Sequence, residues 1–185
     1  MNDLSLVFGS TRIVASAVDG GDAPRRTRER STALRLASSL LGREVDIDHD
    51  DDGAPVVRGD AVHISVTHSA RIVAVAVDPL HRIGIDIEDV RARQLRLVAP
   101  RVLSHDELTL WGGSDVSLTR AWTLKEALYK AAVVPGADWR ADLCLPHALD
   151  GRKARACGLE YDVIYAGELD GALLTVVRRC GSAAL

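Results

Sequence analysis

The spacing of apolar residues changes several times along the chain, and each change predicts an element. Leu4, Leu6, Phe8, Ile13 and Val14, broken by Gly9-Ser10, predict one or two short strands over residues 4–18, and Gly20, Gly21 and Pro24 predict a loop after them. From Arg25 to Leu41 the period becomes helical. Leu34, Leu36, Ala37, Leu40 and Leu41 form the apolar side, and Gly42 provides a stop. Residues 62–77 alternate through Val62, Ile64 and Val66, turn around His68–Arg71 and continue in the wholly apolar Ile72–Val77. That is the pattern of a hairpin whose second strand is buried on both faces. Gly84–Val90 alternates again, with Ile85 and Ile87 on one face and Asp86 and Glu88 on the other. Ser104 followed three residues later by Glu107 is a capping box, predicting a helix to about Trp111. A longer helix is predicted over residues 116–133, stopped by Pro135-Gly136, and strands over 141–148, 159–166 and 172–178. The sum is an α+β protein without an obvious sequence repeat. The connector Pro79–Arg82 is the candidate boundary between an N-terminal half (1–82) and a C-terminal half (83–185).

The helix over 116–133 has two chemically different faces. At 100° per residue, Leu124, Ala127, Leu128 and Ala131 form a stripe that must pack against something. Trp122, Glu126, Tyr129, Lys130 and Val133 lie opposite, with Glu126 near their middle. Glu126 and Lys130 on an ordinary surface would be an i,i+4 pair worth a few tenths of a kcal/mol. Aromatic residues make up only 4% of this chain, however, and two of them share that face. On the acidic strand, Asp86 and Glu88 stand about 7 Å apart and repel one another unless a cation lies between them. A hard divalent cation such as Mg²⁺ suits an all-oxygen site of this kind, and Glu126 would supply a third carboxylate.

Charge and composition narrow the function. A net charge of −3 and a pI near 6.1 argue against a general nucleic-acid binder. Cys144, Cys157 and Cys180 are odd in number, widely spaced and without C-x-x-C pairing, which is expected of reduced thiols and not of zinc or disulfides. The N-terminus has an early Asp and no basic region, so a secretory signal is not expected. No apolar run approaches the ~20 residues of a membrane span. A cytoplasmic protein without nucleic-acid or membrane partners is the expectation. Asp46–Gly53 imitates the start of a calcium loop but has Asp51 and Val57 where such loops need Gly and Glu, so a solvated turn is expected instead. The Arg25, Arg26, Arg28 and Arg30 cluster is either a solvated face or an anion patch.

Gly84-Ile-Asp-Ile-Glu88 followed by Trp122-Thr-Leu-Lys-Glu-Ala-Leu-Tyr-Lys130 resembles the paired signature of the 4′-phosphopantetheinyl transferases, specifically the Sfp-type branch. His63-Ile-Ser-Val-Thr-His-Ser69 is similar to a further family segment, so the resemblance spans roughly residues 25 to 133. It implies two pseudo-symmetric halves, each a small antiparallel sheet with a long helix. It also implies transfer of the 4′-phosphopantetheine arm of coenzyme A to a serine of an apo acyl or peptidyl carrier protein, releasing adenosine 3′,5′-bisphosphate. Asp86, Glu88 and Glu126 would hold Mg²⁺, with Mn²⁺ as the alternative, and Glu126 and Lys130 would be catalytic. Coenzyme A would be contacted by Arg26, Arg30, Ser31, Thr67, His68, Lys125 and Lys130. Glu107 matches a family glutamate near the metal, although its capping role explains it equally well. Gly53-Ala54-Pro55 stands where the family often has Gly-Lys-Pro, so one phosphate-binding lysine is missing. Because both halves are in one chain, a monomer is expected.

Two other functions fit parts of the pattern. Three carboxylates and two lysines also suit another Mg²⁺-dependent phosphoryl or nucleotidyl hydrolase. A catalytically silent module that binds carrier protein is the third reading, and a broken acidic triad would be its mark.

Overall fold

A computed structural model describes residues 3–90, 92–146 and 153–181. The first sheet is built from β1 (Leu4–Phe8), β2 (Thr11–Ala17), β3 (Ile47–His49), β4 (Pro55–Val57), β5 (His63–His68) and β6 (Ile72–Asp78), in the order β1-β2-β6-β5-β4-β3. The second is built from β7 (Ile83–Asp89), β8 (Leu143–Cys144), β9 (Lys153–Ala156), β10 (Leu159–Leu169) and β11 (Ala172–Arg179), in the order β7-β11-β10-β9-β8. All pairings are antiparallel. The helices are α1 (Arg25–Leu41), α2 (Ala92–Val102), α3 (His105–Trp111) and α4 (Asp115–Ala132). This is the mixed α+β architecture expected from the pattern, with the first sheet ending at residue 78 and the second starting at 83.

The two-sided burial of β6 explains how the layers stack. Val73, Val75 and Val77 pack with Leu36, Ala37 and Leu40 of α1. Ile72, Ala74 and Ala76, on the opposite face, pack with Ile83, Ile85 and Ile87 of β7 and with Leu174 and Val176 of β11. Beyond the second sheet, Leu118, Ala121, Leu124 and Leu128 of α4 meet Leu143, Tyr161, Val163 and Val177. The layers therefore run α1, first sheet, second sheet, α4.

At Gly84 the helix and the sheet come closest. A Cβ there would stand 1.9 Å from the Ala127 carbonyl oxygen and 2.8 Å from the Ala131 amide nitrogen, both of them backbone atoms with no rotamer to retreat into. Gly84→Ala should therefore lower unfolding free energy by about 3 kcal/mol or more, read from denaturant midpoints.

Some elements differ from the sequence expectation. α2 is absent from the elements predicted above; Pro100 and the arginines of this stretch interrupt the apolar side that Leu95, Ala99 and Val102 form. Pro100 sits in the last turn, where it interrupts little of the helix. The Asp46–Gly53 stretch contains β3 before its turn. The turn is closed by Asp50, whose Oδ1 accepts from the amides of Asp52 and Ala54. β4 and β9, of three and four residues, are too short to leave a pattern. β8 covers only Leu143–Cys144 of the strand expected over 141–148, of which 147 and 148 lie outside the described residues. No described helix is long and apolar enough to cross a membrane.

Candidate active site

β7 is an edge strand of the second sheet, and its geometry creates the site. Its isoleucines face the first sheet, so Gly84 and Asp86 are turned toward α4. One edge of β7 pairs with β11. On the other edge the amides of Ile85 and Ile87 donate to the hydroxyls of Ser65 (3.2 Å) and Thr67 (3.3 Å) of β5. Side chains, not backbone carbonyls, thus satisfy the strand edge and join the two sheets.

Asp86 is buried, and its two oxygens are treated differently. Oδ1 accepts from the Thr67 hydroxyl at 3.0 Å and from Lys130 Nζ at 2.7 Å, while Oδ2 is buried with no partner among the described residues. Lys130 Nζ also donates to the Ile85 carbonyl at 3.1 Å. Glu126 lies one helical turn before Lys130 on the half-buried face of α4. Burial, reinforced by the Asp86 and Glu88 carboxylates and opposed by Lys130, raises its pKa from 4.5 to about 7. Asp86, Glu88, Glu126 and Lys130 therefore form one electrostatic cluster, as the sequence spacing predicts.

An excess of carboxylates around a single ammonium group, with one buried oxygen lacking a donor, is a donor set that fits a hard divalent cation. Among the described residues, though, no three acidic, histidine or cysteine side chains converge tightly enough to hold an ion. The Lys130 ammonium group occupies one side of Asp86 in their place.

The raised pKa of Glu126 has a consequence for stability. Between about pH 4.5 and 7 the folded, metal-free protein keeps a proton that the unfolded chain has lost, so this group makes stability fall as pH rises through that window and level off above it. The loss is on the order of 3 kcal/mol. Urea midpoints of the metal-free protein should drop between pH 5 and pH 8, and Glu126→Gln should flatten that drop.

Two residues expected at coenzyme A are engaged elsewhere. Lys125 points away from the Glu126 face of α4, where it is fully buried. Its Nζ donates to the carbonyls of Trp139 (2.7 Å) and Leu143 and pairs with Glu107 at 2.9 Å. The expectation that it reaches phosphates from the side is corrected, because the 100° step from Glu126 carries it into the core. Thr67 is buried too, and its hydroxyl is engaged by Asp86 and the Ile87 amide. It positions Asp86 and is not open to a ligand. Glu107 completes the capping box of α3, accepting from Ser104 N at 2.8 Å, and accepts from Leu145 N at 2.8 Å. That structural role accounts for it.

The other expected ligand contacts gather in the N-terminal half. Arg26, Arg30, His49 and His68 line a cleft of about 320 Å³ floored by Leu34, Ile47, Val66 and Val73. Arg25 and Arg28 are committed to Glu29, Ser69 O, Ala23 O and Asp19 O. Arg26 and Arg30 have neither a hydrogen bond nor an ion pair among the described residues. The cluster is thus divided, with two arginines structural and two available. Ser31 donates to the Arg28 carbonyl along α1 and does not line the cleft. Gly53, Ala54 and Pro55 line a small cavity together with Tyr129, Lys130 and Val133, so the N-terminal turn faces the end of α4.

Sequence reasoning missed Trp139. It stacks on Trp122 at 5.6 Å and leans on Tyr129 at 5.2 Å, flanking the helix face that carries Glu126. The unexplained aromatic residues of α4 were a signal that such a partner existed, but its place in an irregular loop could not be derived from periodicity.

These side chains span a stretch that is independently recognisable. Residues 82–165 match the 4′-phosphopantetheinyl transferase superfamily model. The match contains Asp86, Glu88, Glu126 and Lys130 and supports a phosphopantetheinyl transferase. It begins after β5 and therefore excludes Arg26, Arg30 and His68. No curated protein matches the chain.

Proposed function

We propose that the protein is an Sfp-type transferase that moves the 4′-phosphopantetheine arm of coenzyme A to a serine hydroxyl of an apo acyl or peptidyl carrier protein, leaving adenosine 3′,5′-bisphosphate. The observation that carries this reading is the Asp86, Glu88, Glu126 and Lys130 cluster, with the unpartnered Asp86 Oδ2 at its centre. The division of labour follows the sheets: residues 1–82 take the nucleotide end and 83–185 the reacting end. Arg26, Arg30 and His68 bind the 3′-phosphate and adenosine. Asp86, Glu88 and Glu126 would hold Mg²⁺ or Mn²⁺ by drawing closer together than they stand here, with Lys130 leaving Asp86, and the ion would supply charge neutralisation on the pyrophosphate oxygens. Lys130 is drawn from Asp86 toward those oxygens and offsets the charge that develops as the bond to the leaving phosphate breaks. Glu126, directly or through a water, accepts the proton of the attacking serine. Thr67 holds Asp86 in place from the other sheet. Both parts lie in one chain, so the working unit is a monomer in the cytoplasm.

The test is a panel of apo carrier proteins incubated with coenzyme A and Mg²⁺, read by carrier mass and by nucleotide release. A mass gain of one phosphopantetheine arm, with equal release of adenosine 3′,5′-bisphosphate, is expected. Release without carrier would favour the hydrolase reading, and binding without any mass change the silent module.

His68 offers a finer check, because the 3′-phosphate does not react. His68→Ala should raise KM for coenzyme A about ten-fold with kcat little changed, the pattern of lost uniform binding. With dephospho-coenzyme A, which lacks that phosphate, the same variant should behave like wild type. An equal penalty with both donors would remove His68 from the phosphate site.

A further inference from the structure

The cationic cleft contains one carboxylate that its ligand must meet. Glu29, on α1, lines it between Arg26 and Arg30. Its side chain is only 12% exposed, and its Oε1 accepts from Arg25 Nε at 2.6 Å and stands 3.7 Å from His68 Nδ1. Arg25 is fastened in turn to the Ser69 carbonyl, beside His68 in the chain. Glu29 thus stands beside the imidazole assigned above to the 3′-phosphate, while Arg26 and Arg30, unpaired among the described residues, belong to the same cleft.

Even paired with Arg25, this carboxylate sets a negative charge beside one of the cleft's donors, which capture of a phosphate alone does not call for. A carboxylate at a nucleotide site accepts hydrogen bonds from ribose hydroxyls, whereas toward a phosphate it is a like charge in a partly desolvated setting, where such juxtaposition is costly. The same side chain therefore acts with opposite sign on two ligands that differ only in phosphorylation. Resting on the coenzyme A reading, we propose that Glu29 is the specificity-determining residue of the nucleotide cleft. It weakens binding of a nucleotide that bears a 3′-phosphate relative to one with a free 3′-hydroxyl, by competing for His68 and repelling the phosphate.

Glu29→Gln tests this without dismantling the cleft, because the amide oxygen can still accept from Arg25 and the side chain keeps its size. Affinities of wild type and variant for adenosine 3′,5′-bisphosphate and for adenosine 5′-monophosphate, measured by calorimetry at two salt concentrations, give the readout. In the variant, Kd for the bisphosphate should fall about ten-fold, less at high salt, and Kd for the monophosphate should stay the same or rise. Equal changes for both nucleotides, or none, would overturn the role of Glu29 while leaving the cleft assignment standing. Wild-type protein that binds neither nucleotide would overturn the cleft assignment and this inference with it.

Discussion

Glu126→Gln should abolish transfer, lowering kcat/KM by about 10³-fold or more, and should leave the fold intact. The substitution removes a carboxylate from the cluster with Asp86 and Glu88, and with it the group that the proposed mechanism uses both as an oxygen donor to a cation and as the acceptor for the serine proton. It adds no bulk and opens no cavity. Because the charge removed is repelled by its neighbours, stability near neutral pH should be unchanged or higher. A variant that is inactive and at least as stable as wild type is therefore the signature of a functional carboxylate. Near-normal turnover would sink the mechanism. Asp86→Ala should also be inactive, and a large fall in melting temperature without loss of turnover would mark it as structural.

Lys125→Ala should destabilise the protein by about 3–5 kcal/mol, the cost of stranding one member of a buried ion pair. Lys125 and Glu107 are both buried and hold each other at 2.9 Å. Lys125 also fixes the carbonyls of Trp139 and Leu143, and Glu107 the amides of Ser104 and Leu145. Truncating the lysine leaves the carboxylate without its counter-charge and frees the loop that carries Trp139. Equilibrium denaturation should show the loss, and Lys125→Ala combined with Glu107→Ala should cost less than the sum of the two single changes. Full stability with reduced coenzyme A affinity would instead return Lys125 to the phosphates.

The sequence was most informative where periodicity was long. The α1 helix has the bounds read from its leucines and Gly42, and Gly42 adopts the left-handed conformation at its end. The capping box of α3 and the alternation of β7 were equally legible, because each depends on local spacing. Short strands and the proline-containing α2 were not, since their apolar side is defined only by what packs on it. The same boundary divides the site. Spacing brings Asp86, Glu88, Glu126 and Lys130 to one place, but Lys125 and Thr67 carry the right chemistry and point into the protein, a fact set by the packing of α3 and by the edge of β7. Glu29 gave no signal because its meaning arises from a histidine on another element.

The hydroxyl-capped edge of β7 makes the junction between the sheets a reversible clasp. No backbone ladder crosses it there, so this edge can open locally by releasing Ser65 and Thr67 without unravelling either sheet, while the buried layer of Ile72, Ala74, Ile85 and Leu174 keeps the halves together. The Ile85 and Ile87 amides then become natural gauges of that opening. Their hydrogen exchange reports how often the clasp opens, whereas amides of β6, bonded within a central strand, report global unfolding. Since Thr67 also grips Asp86, every opening of the clasp loosens the acidic cluster too. A nucleotide bound to α1 and β5 while its pyrophosphate rests on β7 and α4 would sew the halves together, and the slowing of those two amides would measure the stitch.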